Sequence, residues 1–490
     1  MDYPDIERTA LARNRRILEF AREHCVTAEG EVWCWAHGEN ADLPHPIAHT
    51  PDCLLLALVA GDFFKRANRR DDHDLAIRVV DTALGYYLTP GGAFGQQRAT
   101  QWVGNDVFRT APWANAFHGT KLVECLEHFG EVLELERRKR WRAALERIGA
   151  WIHHNPTVGT VVMNCAVELC FLLRSIARYL ERPEWDAWAR EALNVRLERD
   201  LSPEGLNLGE AGGCSGNYQL LTTRMVATFA HKSGDPEVLD LLRRMWGVNR
   251  KMATPDGRIP GNYGTRGADL GTLPLEAALV LAAANDGEAR MIAERLWERQ
   301  MADAVPPGSD DRVHNLASPE SNLESRCIGA ILGDMVSPVV LEMWERAVRT
   351  EAVKPADVDD PVLDLDRIGL RILRAGPWQA WFTDDEKNIW CRGLAALWNA
   401  RRGDFVFSTL NSLGDARVET RRYPVSTGGR WAGFPQVRLR ANDTVFYGQR
   451  RVRKAVASTA DNSVTLEWEE VLLADDGAEA CSRCRWAYDD

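Results

Sequence analysis

No stretch of these 490 residues stays apolar for the roughly 18 positions that a membrane-spanning helix requires. The N-terminus, Met1-Asp2-Tyr3-Pro4-Asp5-Ile6-Glu7, is acidic and has no apolar core of a secretory signal, so a cytoplasmic location is expected. An excess of positive charge is also missing. Against 71 Asp+Glu stand 60 Lys+Arg, a net charge of −11, which argues against nucleic acid as the main partner. The eleven cysteines are an odd number, and most sit inside apolar helical patterns (Cys125, Cys165, Cys170, Cys327), the usage of reduced thiols and not of a disulfide framework. Cys481-Ser482-Arg483-Cys484 is a lone CxxC without a second pair, so two edge-strand thiols are expected there in preference to zinc. No histidine follows His314.

What the chain does have is punctuation. Five loops carry a proline and then a nearby glycine: Thr89-Pro90-Gly91-Gly92, Asn155-Pro156-Thr157-Val158-Gly159, Ser202-Pro203-Glu204-Gly205, Thr254-Pro255-Asp256-Gly257 and Val305-Pro306-Pro307-Gly308. Their first prolines are 66, 47, 52 and 51 residues apart, with about two helix-period patterns in each interval. Helices are expected over 8–25, 48–67, 72–87, 113–131, 133–153, 161–181, 184–199, 217–233, 236–250, 272–285, 287–302, 319–333 and 339–350. The run Ala166 to Leu173 is almost wholly apolar, as in an inner helix, whereas 236–250 alternates faces like an outer one. Inner and outer layers of helical hairpins make an (α/α) toroid. Residues 351–366 are rich in acids and proline and read as a linker. Period-2 runs then follow at 379–382, 405–408, 437–440 and 463–468. The expected fold is mainly α with a β domain: a toroid over 1–350, a linker over 351–366 and an antiparallel β-sheet domain over 367–490.

Several clusters have the makeup of a site. Asn164-Cys165-Ala166-Val167-Glu168 opens the apolar helix, and Asn164 and Glu168, four apart, share one face. Such a polar pair needs either a ligand or an internal partner, for example an arginine on Glu168. Gly209-Glu210-Ala211-Gly212-Gly213-Cys214-Ser215-Gly216-Asn217-Tyr218 puts Tyr218 at the start of the next helix, beyond a backbone that other groups can approach closely. Gly261-Asn262-Tyr263-Gly264-Thr265-Arg266-Gly267 repeats the Gly-Asn-Tyr triplet, and Arg266 can clamp a carboxylate. Asn105, Arg109, Trp113 and His118 compose a sugar-subsite-like cluster, and the 18 tryptophans supply flat faces for either sugar stacking or core packing. Asp71-Asp72-His73-Asp74 looks like a metal motif, but acids at a helix start are explained by the helix dipole, so no metal and no cofactor is expected.

The order Asn164-Cys165-x-x-Glu168 followed some fifty residues later by Gly216-Asn217-Tyr218 resembles heparinase II/III-like polysaccharide lyases and their alginate-lyase relatives. The Gly-x-Tyr triplet also looks like the tyrosine loop of hyaluronate and chondroitin lyases. The resemblance implies a toroid with a C-terminal antiparallel β domain. It further implies an Asn that holds the uronate carboxylate, commonly followed by His, and a Tyr that moves the proton. Cys165 stands where those lyases often have His, and a β-domain histidine is missing. Either Tyr218 alone serves as base and acid, or the site has changed its chemistry.

β-Elimination removes the proton beside a uronate carboxylate, so the enolate charge must be absorbed by neighbouring groups. Asn164 with Arg266 or Arg224 suits that role. Tyr218 suits that of base, with Tyr263 as its repeat counterpart and Glu168, Glu210, Asn217, Arg224, Asn105, Arg109, Trp113 and His118 around the substrate. A tyrosine normally titrates at about 10, so it needs a nearby arginine. One Tyr acting on one sugar face predicts syn elimination. The alternatives are a glycoside hydrolase for unsaturated uronyl ends, using Glu168, Glu210, Asp106 or Asp269, and a non-catalytic sugar-binding protein. The expected partner is an anionic oligosaccharide or polysaccharide. Residues 363–490 carry 19 Lys+Arg and 18 Asp+Glu, which leaves −12 of the net −11 in residues 1–362. That acidic background makes a local arginine cluster necessary. Homo-oligomerisation is compatible with all three.

Overall fold

The computed structural model describes residues 1–24, 26–30, 32–35, 44–46, 52–67, 69–86, 88–96, 109–110, 112–210, 213–260, 271–302, 335–356, 361–383, 393–408, 439–441, 444–460, 463–474 and 479–489. Twelve described α-helices follow one another: α1 Tyr3–His24, α2 Asp52–Ala67, α3 Arg70–Tyr86, α4 Pro112–Phe129, α5 Leu135–His154, α6 Met163–Leu180, α7 Pro183–Asp200, α8 Gly216–Ser233, α9 Pro236–Met252, α10 Leu275–Ala283, α11 Gly287–Ala302 and α12 Pro338–Ala347. The expected helix at 319–333 lies outside the described residues. Three short antiparallel pairs lie between helices: β1 Trp33–Trp35 with β2 Pro44–Pro46, β3 Gly95–Gln96 with β4 Arg109–Thr110, and β5 Arg258–Ile259 with β6 Gly271–Thr272. The chain divides into two compact units, Met1–Glu198 with Glu298–Thr350, and Arg199–Trp297 with Glu351–Asp490.

In the first unit α2, α4 and α6 pack in succession, with α3 against α2 and α5 against α4 and α6. The apolar helix is the most enclosed: from Met163 to Ala177 every residue of α6 except Ser175 is buried. Gly119 of α4 lets the two inner helices close up, because a Cβ there would run into Leu172. The N-terminal helix is tied to a distant segment by one amide. Asn14 donates to the Val336 carbonyl (2.8 Å) and accepts from its N–H (2.8 Å), and Val336 leads into α12. Ser337 caps α12 and Pro338 opens it, the usual start signal.

In the second unit α8 packs against α9 and α10. The β part holds a five-stranded antiparallel sheet in the order β11-β10-β9-β8-β7 and a four-stranded one, β12-β13-β14-β15. The strands are β7 Val362–Leu365, β8 Leu370–Ala375, β9 Trp378–Thr383, β10 Gly393–Asn399, β11 Asp404–Ser408, β12 Leu439–Ala441, β13 Thr444–Ala460, β14 Ser463–Ala474 and β15 Glu479–Asp489. Strand β7 thus occupies part of the segment that has linker composition. The end of α9 meets the five-stranded sheet: Trp381 Nε1 donates to the Met252 carbonyl (2.9 Å), Gln379 Nε2 to Ala253 (3.3 Å) and Arg374 to Lys251. Carbonyls that every helix leaves unpaired at its C-terminus are satisfied here by β side chains.

The loop repeat holds in part and needs correction. Thr89-Gly92, Ser202-Gly205 and Thr254-Gly257 are one and the same turn. In each the Gly N–H donates to the Thr or Ser carbonyl (3.0, 3.0 and 2.9 Å). The hydroxyl of that Thr or Ser accepts from the N–H just past the glycine (3.1, 3.0 and 3.0 Å). Each glycine has positive φ: 88°, 99° and 84°. A fourth member, Thr27-Gly30, has φ 96° and lacks proline, which hid it from a proline-based pattern. Gly30, Gly92 and Gly205 lie against the backbone of Arg78, Arg147 and Arg244, on the second helices of their hairpins, where a Cβ would collide. Asn155–Gly159 is different: Pro156–Gly159 forms a 3-10 turn, and Gly159 has neither positive φ nor an atom that an added Cβ would meet. The Val305 loop lies outside the described residues.

Candidate active site

In the first unit the candidate residues Asn164 and Glu168 sit in the first turns of α6. Arg196 of α7, 2% exposed, donates from Nη1 to the Gly159 carbonyl (3.0 Å) and from Nη2 to that of Val161 (2.8 Å). It thereby holds the backbone four and two residues before α6, in whose first turn Asn164 follows. Asn164, Cys165 and Glu168 are all buried. The arginine two turns on, Arg174, bonds Asp186 of α7 through Nε (2.9 Å). Burial raises the Asp186 carboxyl, but hydrogen bonds from Arg190 and Arg174 outweigh it, and the group titrates below its ordinary range. Burial pushes the Cys170 thiol up to about 12, with Arg174 opposing, so Cys170 is inert packing. His118, 1% exposed in α4, packs its ring 5.2 Å from Phe94. One turn earlier, Asn115 accepts from the Phe94 N–H and donates to the Gly92 carbonyl (3.2 Å).

In the second unit Tyr218 stands half-buried in the first turn of α8. The helix begins after Ser215, whose side chain makes no capping bond, and the Tyr218 carbonyl accepts from Thr222 Oγ1 (2.7 Å). Glu210 is 4% exposed, and Asn207 Nδ2 donates to its Oε1 (3.1 Å). The Glu210 loop is closed by reciprocal backbone bonds with Gly213 (3.0 and 2.6 Å). Just beyond it, burial and the Glu210 charge push the Cys214 thiol up to about 12. Gly209 crosses the side chain of Asp200, where a Cβ would have no room. Arg224, six residues after Tyr218, lies about 120° round the helix from it. It is more than half exposed and paired with Glu276 (2.8 Å).

Tyr263, Arg266 and Asn105 lie outside the described residues. Arg109 is in β4, Trp113 in α4 and Asn217 in α8, and their side chains are also outside the description. The buried polar network of Asn207, Gln219, Thr222, Thr223 and Asn249, which reaches Tyr218 only at its carbonyl, is not legible in the sequence. Asp72 is buried at the start of α3 and paired with Arg22 and Arg69 (2.9 Å to the latter), so ion pairs occupy the metal-like motif. Cys481 and Cys484 lie on β15, an edge strand, and their side chains are outside the description. Among the described residues no group of three or more His, Cys, Asp or Glu is placed to hold a metal ion. Among the same residues no helix is long and apolar enough to cross a membrane.

Residues 76–269 match the family model of the ulvan lyase N-terminal domain, a span that includes both Asn164 and Tyr218. The structure is similar to that of a chondroitin AC lyase from Streptomyces coelicolor A3 in complex with chondroitin sulphate, with 15% identity and a TM-score of 0.52 over 100% of this chain and 74% of that one. The fold is that of an (α/α)-toroid polysaccharide lyase. A tyrosine-to-alanine variant of the same Streptomyces enzyme aligns equally well (13% identity, TM-score 0.52, 100% and 74% covered). An unsaturated glucuronyl hydrolase from Bacillus sp. GL1 aligns more loosely (11% identity, TM-score 0.44, 71% and 97% covered), too loosely to argue from. No curated protein matches the chain. The expected resemblance to toroid polysaccharide lyases therefore holds.

Proposed function

We propose that the protein is a polysaccharide lyase that cleaves uronic-acid-containing glycans by β-elimination. The observation that carries this reading is the ulvan lyase domain match over 76–269, which spans the Asn164 helix and the Tyr218 loop alike. Tyr218 is assigned the transfer of the proton next to the uronate carboxylate, and Asn164 the stabilisation of the charge that develops there. A half-buried phenol at a helix start suits a group that must meet both substrate and protein. Glu210 is assigned a grip on sugar hydroxyls, because an ionised carboxylate accepts from hydroxyl donors. Arg224 is a weaker assignment for charge neutralisation than Arg266, since Glu276 already balances it. The substrate class is an anionic polysaccharide or its oligosaccharides.

The test is a panel of ulvan, chondroitin-, alginate-, pectin- and glucuronan-type substrates, monitored for ultraviolet absorbance of the new double bond. The wild type is expected to generate it on at least one of them. Tyr218→Phe, which removes only the hydroxyl, is expected to lower the rate by about 10²- to 10⁴-fold. Reducing sugar released without a double bond would identify a hydrolase instead.

A further inference from the structure

The four equivalent turns allow a comparison inside one chain. Two residues after the turn glycine stand Val32, Phe94, Asn207 and Ile259. Three are apolar and buried, as packing under a turn requires, and the fourth is an asparagine with no exposed surface. The turn closes without a polar group here, because the Thr89 turn is clamped from its inner helix by Asn115 while Phe94 fills the equivalent position. Gln219 does the same for the Ser202 turn, accepting from the Asn207 N–H (2.7 Å) and donating to the Gly205 carbonyl (3.0 Å). The Asn207 side chain is therefore not needed to form the turn. It breaks the pattern in the loop that runs into Tyr218.

Its partners fix which way the amide points. Thr222 has one hydroxyl proton and gives it to the Tyr218 carbonyl, so toward Asn207 it accepts, from Nδ2 at 3.3 Å. The other Nδ2 proton goes to Glu210 Oε1 (3.1 Å), and Oδ1 takes the Gly209 N–H (3.0 Å). Behind this layer, Gln219 Nε2 also donates to Asn249 Oδ1 (2.9 Å) and Asn249 Nδ2 to Thr223 Oγ1 (2.9 Å), so the outer helix α9 locks the inner one. Buried networks satisfied in this way hold one arrangement.

We infer that Asn207 is a positioning residue for the reaction proposed above: it ties the Glu210 carboxylate to the turn of α8 that carries Tyr218. It touches neither substrate nor reacting atoms and acts through those two residues. The inference rests on the lyase reading.

The test is Asn207→Leu, which restores the apolar residue of the other three turns and so retains the fold. The expected result is a melting temperature close to that of the wild type, with faster amide hydrogen exchange at Gly209 and Gly213. With it, kcat is expected to fall by roughly a hundredfold, KM changing far less. A second variant, Asn207→Asp, keeps the shape but sets a carboxylate against Glu210, and the same faster exchange and loss of kcat are expected. Unchanged kcat in Asn207→Leu, or wild-type exchange at Gly209 and Gly213 in both variants, would overturn the positioning role. If the wild type forms no double bond on any substrate, the lyase reading fails, and the exchange comparison alone decides whether Asn207 holds the loop.

Discussion

Arg196 and Asp186 show how single charged residues set up the Asn164 region from outside it. Arg196→Ala leaves the Gly159 and Val161 carbonyls without their donor inside the protein, a loss of about 1–3 kcal/mol. Urea unfolding of the variant against the wild type measures it, and a difference near zero would mean that water replaces the guanidinium. Asp186 gives a pH signature. Its carboxyl titrates lower in the folded chain than in the unfolded one, so its stabilising effect is complete above the unfolded value, about 3.9. That effect fades as pH falls through the folded value. Asp186→Asn is therefore expected to be less stable than the wild type near neutral pH and equal to it in strong acid, as thermal melts across pH will show. Neither role was legible in the sequence. Arg196 reaches carbonyls 35 and 37 residues away, and Arg174 is one of many arginines on amphipathic helices. Asn164, Glu168, Glu210 and Tyr218 stand out in the sequence as candidates because they interrupt apolar or glycine-rich runs.

At the scale of elements, the turn glycines separate from ordinary helical ones. Gly205 combines φ 99° with a helix backbone where its Cβ would go, whereas Gly247, inside α9, has open space and no positive φ. Gly205→Ala is expected to cost more than about 1 kcal/mol. Gly247→Ala is expected to gain about 0.5–1 kcal/mol. Equal effects of the two in chemical denaturation would contradict the assignment of the turns. The described helices were legible to within a few residues because the apolar period survives in them, and α6 was recognisable as a buried helix from its composition alone. The strands were legible only where strict alternation holds. In β10 the run Gly-Leu-Ala-Ala-Leu-Trp-Asn has no alternation, since the consecutive residues Ala396, Leu397 and Trp398 are all buried and both faces are therefore covered. In β13 the register shifts at Tyr447/Gln449, Gln449/Arg451 and Arg453/Val456 reset the period before it can be recognised. The turn repeat was visible through its prolines, which are incidental. The Ser/Thr-x-x-Gly core that defines it has the same geometry without proline at Thr27.

For the whole molecule, the toroid fold hosts more than one chemistry, so the lyase reading rests on the residues proposed for it and not on the fold. Asn207 departs from the internal turn repeat, in the loop that ends at Tyr218. Cys165, in the position where related lyases often carry His, is buried at 7% exposure. The proposed mechanism therefore gives the proton transfer to a phenol and not to an imidazole. The most direct measurement is the ultraviolet absorbance of wild type and Tyr218→Phe on ulvan and chondroitin sulphate under identical conditions. A rising signal is expected for the wild type on at least one of the two, and a rate about 10²- to 10⁴-fold lower for the variant. Equal rates for the two proteins would contradict the proposed mechanism.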